Sequence, residues 1–512
     1  MTESSENAPV PVINTMFLFI DLFSHLSIYL TAFLISTSLF YCRNLALSSS
    51  FYHKCRRLAF YIKSPQEIQR LTWRSVRHLN TPTKMMEMRV SLCTIFLFSL
   101  LAPLLAEFFS DEYSASLENI LPTMTRPMNT SRTFYGIMFD AGSTGTRIHV
   151  YTFIQKSSAQ IPSLNNEIFK SVKPGLSAYA DNPATGGETV RALLETAKET
   201  VPPRYWSKTP VVLKATAGLR LLPEYKAEAL LQEVQGVFDE SPFYVPNESV
   251  SIMNGTHEGI LAWITVNFLT GNFYGKNFKT YGTLDLGGGS TQITFMPKSK
   301  KTLLLAPKDH TATFEMFNRT YQLYTHSYLG CGLMAARVAT MGANEWDAPY
   351  NVYTSSCLPK KFKGEWSFGR VTYRVSGNPD GYAGYKLCYQ EVINVVRGVI
   401  NQPFVLRGTT FYAFSYYFDR AVDSGLIDGQ RGGIVEVRDF KKKAKEVCNN
   451  MTKYRPISPF LCMDMTYITA LLKEGFGFKE HTVLHLTKKV NNVETSWALG
   501  AAFHLLQSLK SM

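Results

Sequence analysis

The stretch Phe139-Asp-Ala-Gly-Ser-Thr-Gly-Thr-Arg147 follows an apolar run. The same arrangement of residue types occurs 145 positions later, in Leu284-Asp-Leu-Gly-Gly-Gly-Ser-Thr-Gln292. Each stretch places an Asp at the end of a strand-like segment, then a turn of small residues, then a second strand-like segment. The spacing is one domain length, so the sequence predicts two domains that face each other across a cleft.

The segments around these two stretches alternate between strand and helix patterns. GIMFD and HVYTF are typical of strands, and VVLKATAG is typical of a buried strand. Residues 189–201 and 260–268 have the apolar period of helices. Alternation of this kind favours an α/β architecture.

The residue types in the two turns suit phosphate and metal chemistry. Small residues let backbone N–H groups approach an anion, and Ser and Thr hydroxyls add donors. An Asp beside them, such as Asp140 or Asp285, can hold a divalent cation through water. Either turn alone is equally consistent with an ordinary Gly-rich hairpin, but the matched pair favours a phosphate–metal clamp. The chain has no GxxxxGK[ST] sequence, which excludes a P-loop NTPase.

Two further segments suit the same chemistry. Lys214-Ala-Thr-Ala-Gly-Leu-Arg220 follows a buried strand and offers Thr216 and Gly218 to a phosphate, although a plain strand-to-helix turn would look similar. Asn254-Gly-Thr-His-Glu-Gly259 leads into a helix, with Thr256 the predicted N-cap and Glu258 in the first turn. Glu258 is either a dipole-compensating residue or a general base that activates water.

The N-terminal residues 1–109 are predicted to be a targeting region. The apolar run 16–42 is long enough to span a membrane, although it contains Asp21 and His25. The shorter run 90–106 is either a second span or a signal peptide preceded by the start region 85–88. Both alternatives place the later residues in the secretory pathway, in the endoplasmic reticulum lumen or secreted, with membrane attachment possible only through this region.

Charge and cysteine content fit that location. The net charge of +13 and the pI near 9.2 first suggest the hypothesis of nucleic-acid binding. However, the basic block between the two apolar runs is explained as a topology signal, and no basic-aromatic module is evident. The spacings of Cys357 from Cys388 and of Cys448 from Cys462 suit disulfide loops and leave Cys331 unpaired. Buried thiols are the alternative.

Five ordered segments give the chain a resemblance to the apyrase, or ectonucleoside triphosphate diphosphohydrolase, family. They are DAGSTGTR at 140–147, ATAGLR at 215–220, NGTHEG at 254–259, DLGGGSTQ at 285–292 and NNVETSWALGA at 491–501. Further segments, such as VKPGLSAYAD and FYAFSYYFDRAVD, are similar to its endoplasmic-reticulum nucleoside diphosphatase (UDPase) branch, and both Cys pairs look like that branch's disulfides. Gly289 departs from the family pattern, where Ala is common, and Cys331 from the branch, where an aromatic is common.

The resemblance implies an actin-like (ribonuclease H-like) duplicated fold with a central cleft. The lobes would span residues 134–280 and 281–508, with the segment near 480–508 packing back on the first lobe. Asp140 and Asp285 would hold Ca²⁺ or Mg²⁺ through water, and Glu258 would deprotonate the attacking water, which Ser290 and Gln292 would position. The phosphates would be bound by Ser143, Thr144, Gly145, Thr146, Arg147, Thr216, Gly218, Gly287, Gly288 and Gly289. Trp497 would pack near the cleft.

The base of a nucleotide needs a stacking surface, and the aromatic stretch 411–418 offers Tyr416 and Tyr417. Alternating aromatics are equally typical of a buried strand. The activity that the resemblance implies is hydrolysis of UDP and GDP to monophosphates, in support of glycoprotein folding. The alternatives are an exopolyphosphatase or sugar kinase of the actin-like superfamily, or a non-catalytic nucleotide-binding scaffold, against which Glu258 and Gln292 argue.

Overall fold

The structure of the chain is a computed structural model. It describes residues 131–156, 161–273, 279–317 and 319–511. The predicted targeting region 1–109, with both of its apolar runs, lies outside the described residues. Within the described stretches, every helix is too short or too polar to cross a membrane.

The described residues form α-helices and β-strands in alternation. The strands are β1 (Arg132–Ala141), β2 (Thr146–Gln155), β3 (Ser163–Val172), β4 (Val211–Ala215), β5 (Val250–Ile252), β6 (Gly282–Leu286), β7 (Ser290–Phe295), β8 (Thr311–Met316), β9 (Arg319–Leu329), β10 (Val352–Ser355), β11 (Lys363–Phe368), β12 (Val371–Gly377), β13 (Phe411–Ser415), β14 (Gly433–Glu436), β15 (Val483–Leu486), β16 (Lys489–Val490) and β17 (Val493–Glu494). The α-helices are α1 (Pro183–Thr200), α2 (Ala217–Arg220), α3 (Glu224–Asp239), α4 (Gly255–Leu269), α5 (Lys300–Leu304), α6 (Leu333–Thr340), α7 (Tyr385–Val396), α8 (Tyr416–Asp423), α9 (Val437–Asn449), α10 (Met451–Tyr454), α11 (Leu461–Ala470) and α12 (Ala498–Ser511). Short 3₁₀ turns occupy Leu176–Tyr179, Pro203–Lys208 and Lys308–His310, and a π-helical turn occupies Leu471–Gly475.

Two large sheets share one strand plan. The first has the order β3-β2-β1-β4-β5, and the second has the order β14-β15-β13-β6-β7-β9-β8. Each sheet contains an antiparallel hairpin, β1–β2 or β6–β7, whose first strand has an Asp next to its last residue. Two parallel strands follow on the other side of that first strand, β4 and β5 in the first sheet and β13 and β15 in the second. Asp140 pairs with Arg147 in one hairpin, and Asp285 pairs with Gln292 in the other. The predicted α/β class and the predicted duplication are therefore confirmed.

The central strand of the first sheet, β1, is buried on both of its faces. Along β1, Ile137 and Phe139 pack with α1 and α3, whereas the intervening Met138 packs with α4 and α12 on the opposite face. This alternation follows from the two-residue period of a strand. All strands of the first sheet precede residue 253 and those of the second follow residue 281. The lobe boundaries 134–280 and 281–508 stay predictions.

Helix α4 carries Glu258 and lies against β6, β7 and β9 of the second sheet. A side chain at Gly259 would place its Cβ 2.5 Å from Thr294 Oγ1, so glycine is needed for this close approach. The helix begins at Gly255 and its N-cap is Asn254, whose side chain accepts a hydrogen bond from the Thr256 N–H. The prediction that Thr256 is the N-cap was wrong, because the side-chain oxygen of Asn254 accepts the hydrogen bond from the Thr256 N–H and so caps the helix.

Two other local predictions can be compared with the structure. The helix predicted over 189–201 begins earlier, at Pro183, which suits the first turn of a helix, and ends at Thr200. The aromatic stretch 411–418 is divided, because β13 ends at Ser415 and α8 begins at Tyr416. Neighbouring tyrosines therefore stand on a helix, where successive side chains point in different directions.

The cysteines pair as expected. Cys357 is bonded to Cys388 and Cys448 to Cys462, and Cys331 is a buried free thiol. Burial raises the pKa of Cys331 to about 11, so the thiol stays protonated and unreactive at neutral pH.

Candidate active site

One polar cavity collects residues from both large sheets. It encloses about 480 Å³, a volume typical of ligand pockets. Its wall contains the predicted residues Asp140, Ser143, Thr144, Arg147, Thr216, Glu258, Asp285, Gly287, Gly288, Gly289, Ser290, Tyr416 and Trp497. The segments that carry them are far apart in the sequence, and the duplicated sheets bring them together.

The first turn (residues 142–145) and the second turn (residues 287–289) meet inside this cavity. The Gly142 N–H closes the first turn on the Gly145 carbonyl, and the Gly287 N–H bonds the Ser290 carbonyl beside the second. A Cβ on Gly288 would lie only 2.5 Å from Ser143 Oγ, which shows how closely the turns approach each other. Small residues on both sides allow an anion to reach backbone N–H groups.

Two glycines that sequence reasoning missed support the turns from behind. A Cβ on Gly175 would lie 2.3 Å from the Gly142 carbonyl oxygen, and a Cβ on Gly332 would lie 2.4 Å from the Ser290 nitrogen. Neither glycine has a positive φ, so the close approach of backbone, rather than backbone conformation, requires glycine there. The only signals available in the sequence were the Pro174-Gly175 pair and a lone Gly before a helix.

The two aspartates are buried at the ends of β1 and β6. Asp140 accepts a hydrogen bond from Arg147, with Nη1 2.9 Å from Oδ2, while its Oδ1 has no hydrogen-bond partner among the described residues. Burial raises the pKa of Asp285 to about 6, with a smaller contribution from the nearby Asp140 charge and an opposing hydrogen bond from Ser415. Two buried carboxylates with an unsatisfied oxygen suit a hydrated divalent cation.

Glu258 faces the same cavity from the first turn of α4 and is almost fully buried. Burial raises its pKa to about 7, and the negative charges of Asp285 and Asp140 act in the same direction. Arg220 opposes the increase, because its Nη2 donates a hydrogen bond to Glu258 Oε2. A carboxylate with a pKa near neutrality is suited to accept a proton at physiological pH.

Ser290 and Gln292 form a small hydrogen-bonded unit beside the second turn. Gln292 Nε2 lies 2.8 Å from Ser290 Oγ and 2.8 Å from Ser327 Oγ, so the amide donates to both hydroxyls. Ser290 lines the cavity, whereas Gln292 stands one layer behind it. The accepted hydrogen bond directs the hydroxyl hydrogen of Ser290 toward other acceptors.

Three residues predicted to bind phosphate lie behind the cavity wall. Thr146 is fully buried in β2, and Gly145 completes the first turn beside the Val172 carbonyl. Gly218 lets α2 pack on the first turn, because a Cβ there would lie 2.8 Å from Ser143 Cα. Thr216 does line the cavity. The structure therefore places these three residues where they shape the turn from behind.

Five aromatic residues line the cavity, namely Phe169, Trp366, Tyr416, Phe418 and Trp497. Tyr417 is fully buried in the hydrophobic core, so its ring does not face the cavity. The physical reason is the start of α8 at Tyr416, which turns adjacent side chains to different sides. Of the two predicted tyrosines, only Tyr416 lines the cavity.

Several charged residues of the wall were not predicted. Lys173, Lys488, Arg337 and Arg420 line the cavity and add positive charge that matches an anionic ligand. Arg337 is held by a bidentate ion pair with the buried Asp464, with Nε to Oδ1 2.8 Å and Nη2 to Oδ2 2.5 Å. Long-range pairing of this kind leaves no local sequence signal.

Glu494 is a further carboxylate of the wall, beside Asp140, Glu258, Asp285 and Asp419. Its backbone N–H donates to Glu167 Oε2 at 2.8 Å, and Glu167 Oε1 lies 2.8 Å from Nδ1 of the buried His149. Burial raises the pKa of Glu494, and His149 opposes this increase. The residue stands inside the segment NNVETSW, which was the available sequence signal.

Comparison with known proteins gives consistent results. The chain matches the GDA1/CD39 (nucleoside phosphatase) family over residues 127–511. It is 61% identical to ectonucleoside triphosphate diphosphohydrolase 5 of Gallus gallus, over 82% of this chain and 98% of the relative. It is 61% identical to the nucleoside diphosphate phosphatase ENTPD5 of Homo sapiens, over 77% of this chain and 92% of that relative.

The fold also resembles solved structures. A nucleoside triphosphate hydrolase of Neospora caninum superposes with a TM-score of 0.52 at 13% identity, covering 77% of this chain and 96% of that chain. The likeness concerns the fold, and the predicted actin-like architecture is confirmed at that level.

Proposed function

This chain belongs to the GDA1/CD39 (nucleoside phosphatase) family, and from that premise we propose that it hydrolyses nucleoside diphosphates such as UDP and GDP. The products are the nucleoside monophosphate and inorganic phosphate. The observation that carries the proposal is Glu258, a buried carboxylate with a pKa of about 7 that shares one cavity with both Asp–Gly turns. The human relative named as a nucleoside diphosphate phosphatase supports the substrate class.

The phosphates occupy the region between the two turns. Ser143, Thr144 and residues 287–289 line it with small or hydroxyl side chains, so oxygens of the diphosphate can approach backbone N–H groups. Lys173 and Lys488 add positive charge to the same wall. The nucleoside extends toward Tyr416, whose ring provides a stacking surface.

Asp140 and Asp285 are the residues that would hold a divalent cation, Ca²⁺ or Mg²⁺, through water. Both are buried acceptors, and the unpartnered Oδ1 of Asp140 is the kind of oxygen that a hydrated cation satisfies. When bound, the cation supplies charge stabilisation for the phosphate oxygens.

Hydrolysis begins with a water held by Glu258 and the Ser290 hydroxyl. Arg220 occupies Oε2 of Glu258, so Oε1 accepts the water proton. The water oxygen forms a bond to the terminal phosphorus as the bond to the bridging oxygen breaks, and that electron pair leaves with the nucleoside monophosphate. Gln292 fixes Ser290, and N–H groups of the turns stabilise charge on the equatorial oxygens.

The cellular setting is the lumen of the secretory pathway. Two disulfides among the described residues support an oxidising compartment. There the enzyme removes UDP left by glycosyl transfer and so relieves product inhibition, which favours glycoprotein folding. Protease protection of the full chain in sealed microsomes tests this location, and digestion of residues 131–511 from the cytosolic side contradicts it.

The activity is tested with the purified full-length protein. Phosphate release is measured from UDP, GDP, ADP, UTP and inorganic polyphosphate, with Mg²⁺, with Ca²⁺ and after chelation. The expected result is metal-dependent release from UDP and GDP. Release from polyphosphate alone would instead support an exopolyphosphatase, and nucleotide binding without release would support a scaffold.

The role of Glu258 is tested with Glu258→Gln. Loss of the general base should lower kcat by about 10²–10⁴-fold. Glu195→Gln is the matched control, because Glu195 lies in an exposed ion pair with Lys198 on α1, and it should retain full activity. A Glu258→Gln enzyme with wild-type kcat refutes the assignment of the base.

A further inference from the structure

A second group of metal-ligating side chains lies outside the cavity. Asp309 and His310 belong to the short turn before β8, and His326 belongs to β9 in the same sheet. None of the three lines the candidate active site. We call Asp309, His310 and His326 the His–Asp cluster.

The three side chains converge within a small volume. His326 Nδ1 lies 3.5 Å from Asp309 Oδ2, and His310 Nε2 lies 3.9 Å from the same oxygen. One ligand atom from each residue lies within 4.8 Å of the other two. Ligands of a tetrahedral zinc ion, at about 2.0–2.1 Å from the metal, are about 3.3 Å apart, so small side-chain adjustments bring the three atoms onto one ion.

The ring arrangement also points to a ligand. The imidazoles of His310 and His326 are stacked with centroids 3.7 Å apart, an arrangement that two positively charged rings would oppose. Metal ligation likewise requires neutral imidazoles.

The far side of His310 is fixed by a second residue. His310 Nδ1 lies 2.9 Å from the hydroxyl of the buried Tyr324, which leaves Nε2 as the nitrogen that faces Asp309. Metal-binding histidines commonly have their other nitrogen held in this way, because it fixes the ring orientation. His310 is buried while Asp309 is 71% exposed, so solvent can supply further ligands.

We propose that the His–Asp cluster is a binding site for a zinc-type transition metal ion. Two imidazole nitrogens and one carboxylate oxygen match the ligand preference of Zn²⁺, whereas Ca²⁺ and Mg²⁺ favour oxygen ligands. The site is therefore distinct in chemistry from the one at Asp140 and Asp285. Ligation ties the Lys308–His310 turn to β9 and stabilises that edge of the second sheet.

Binding is measured on the full-length protein without a polyhistidine tag. The protein is stripped with a chelator and dialysed against radioactive Zn²⁺ in excess Mg²⁺, which occupies the oxygen-ligand site. The variants are Asp309→Asn and His326→Gln, and the matched control is His481→Gln, because His481 is exposed and lies away from the cluster. Wild-type protein and the control should bind one more zinc ion per chain than either cluster variant. Equal zinc content in wild type and the cluster variants overturns the proposal.

If His326→Gln does not fold, the proposed zinc site can still be tested by measuring the Tm of the wild type and of Asp309→Asn with and without zinc. Asp309 is largely exposed, so Asp309→Asn should fold normally. Zinc should raise the Tm of the wild type by several degrees and leave the Tm of Asp309→Asn unchanged. An equal zinc-induced shift in both proteins overturns the proposal. UDP hydrolysis by Asp309→Asn should equal that of the wild type, since Asp309 takes no part in the active site.

Discussion

Arg220 Nη2 donates a hydrogen bond to Glu258 Oε2, and the two side chains are 14% and 9% exposed. The pair joins the residue that ends α2 to the first turn of α4. Because Arg220 lowers the pKa of Glu258 while burial raises it, the balance between them affects the pH at which this proposed base is ionised.

The first prediction concerns this pH dependence. Glu258 accepts a proton only when ionised, so kcat/KM should fall below about pH 7, by about tenfold per pH unit on the acid side. In Arg220→Met the lowering influence is lost, the pKa of Glu258 rises, and the acid limb should move to higher pH. Arg191→Met, which removes an exposed ion pair with Glu240, is the control and should leave the limb in place. An unchanged limb in Arg220→Met would mean that another group governs it.

The second prediction concerns Gln292. Its amide donates to Ser290 and Ser327, so Gln292→Leu releases the Ser290 hydroxyl from its fixed orientation. Loss of one positioned hydrogen bond, worth about 1.4 kcal/mol, should lower kcat about tenfold with little change in KM. Steady-state kinetics with UDP measure this split. Gln322→Leu, on an exposed position of β9, should keep wild-type kcat; equal kinetics for the two variants contradict the role.

The third prediction concerns the glycines behind the turns. A methyl group at Gly332 would approach the Ser290 nitrogen to 2.4 Å and displace the second turn. Misplacement of a catalytic element by about 1 Å can reduce rate by about 10²-fold, so Gly332→Ala should lower kcat to that extent. Gly236→Ala is the control, because nothing lies within 4 Å of the added methyl group in α3, and it should stabilise the fold by about 0.5–1 kcal/mol. Full activity in Gly332→Ala would show that the second turn tolerates displacement.

The fourth prediction concerns Asp464. It is fully buried and pairs with Arg337 and, at 3.3 Å, with Arg420. Asp464→Asn leaves positive charge buried without compensation, so the free energy of unfolding should fall by about 3–5 kcal/mol. Urea denaturation measures the change. Glu195→Gln removes an exposed partner and should shift stability by less than about 1 kcal/mol. A loss of similar size in both variants would contradict the importance of burial.

Local sequence was sufficient to predict the two Asp–Gly hairpins. In each, an apolar strand, an Asp and a run of small residues determine the turn within about nine positions, and the structure shows matching registers at Asp140 and Asp285. The position of Glu258 in a first helical turn is also local information. The turns of the two hairpins meet in the cavity, and five strands of each sheet follow the same order.

Other parts of the site depend on contacts that are distant in the chain. Arg220 pairs with Glu258, which is 38 positions away in the chain. Arg337 pairs with Asp464 at a separation of 127 positions, and Glu494 bonds Glu167 at a separation of 327. Tyr417 was misplaced for a different reason, because the aromatic stretch gave no sign that the strand ends at Ser415. Side-chain direction depends on that boundary, and boundaries are the least determined feature of a sequence.

The last helix, α12, completes the core around α4. The Gly500 N–H donates to Thr265 Oγ1 at 2.8 Å, and a Cβ on Gly500 would lie 2.1 Å from the Leu261 carbonyl oxygen. During synthesis, α4 leaves the ribosome well before its partner exists. One apolar face of α4 and one of β1 therefore stay uncovered until residue 500 and its neighbours have been translated. Packing of this part of the core therefore follows synthesis of the C-terminal segment.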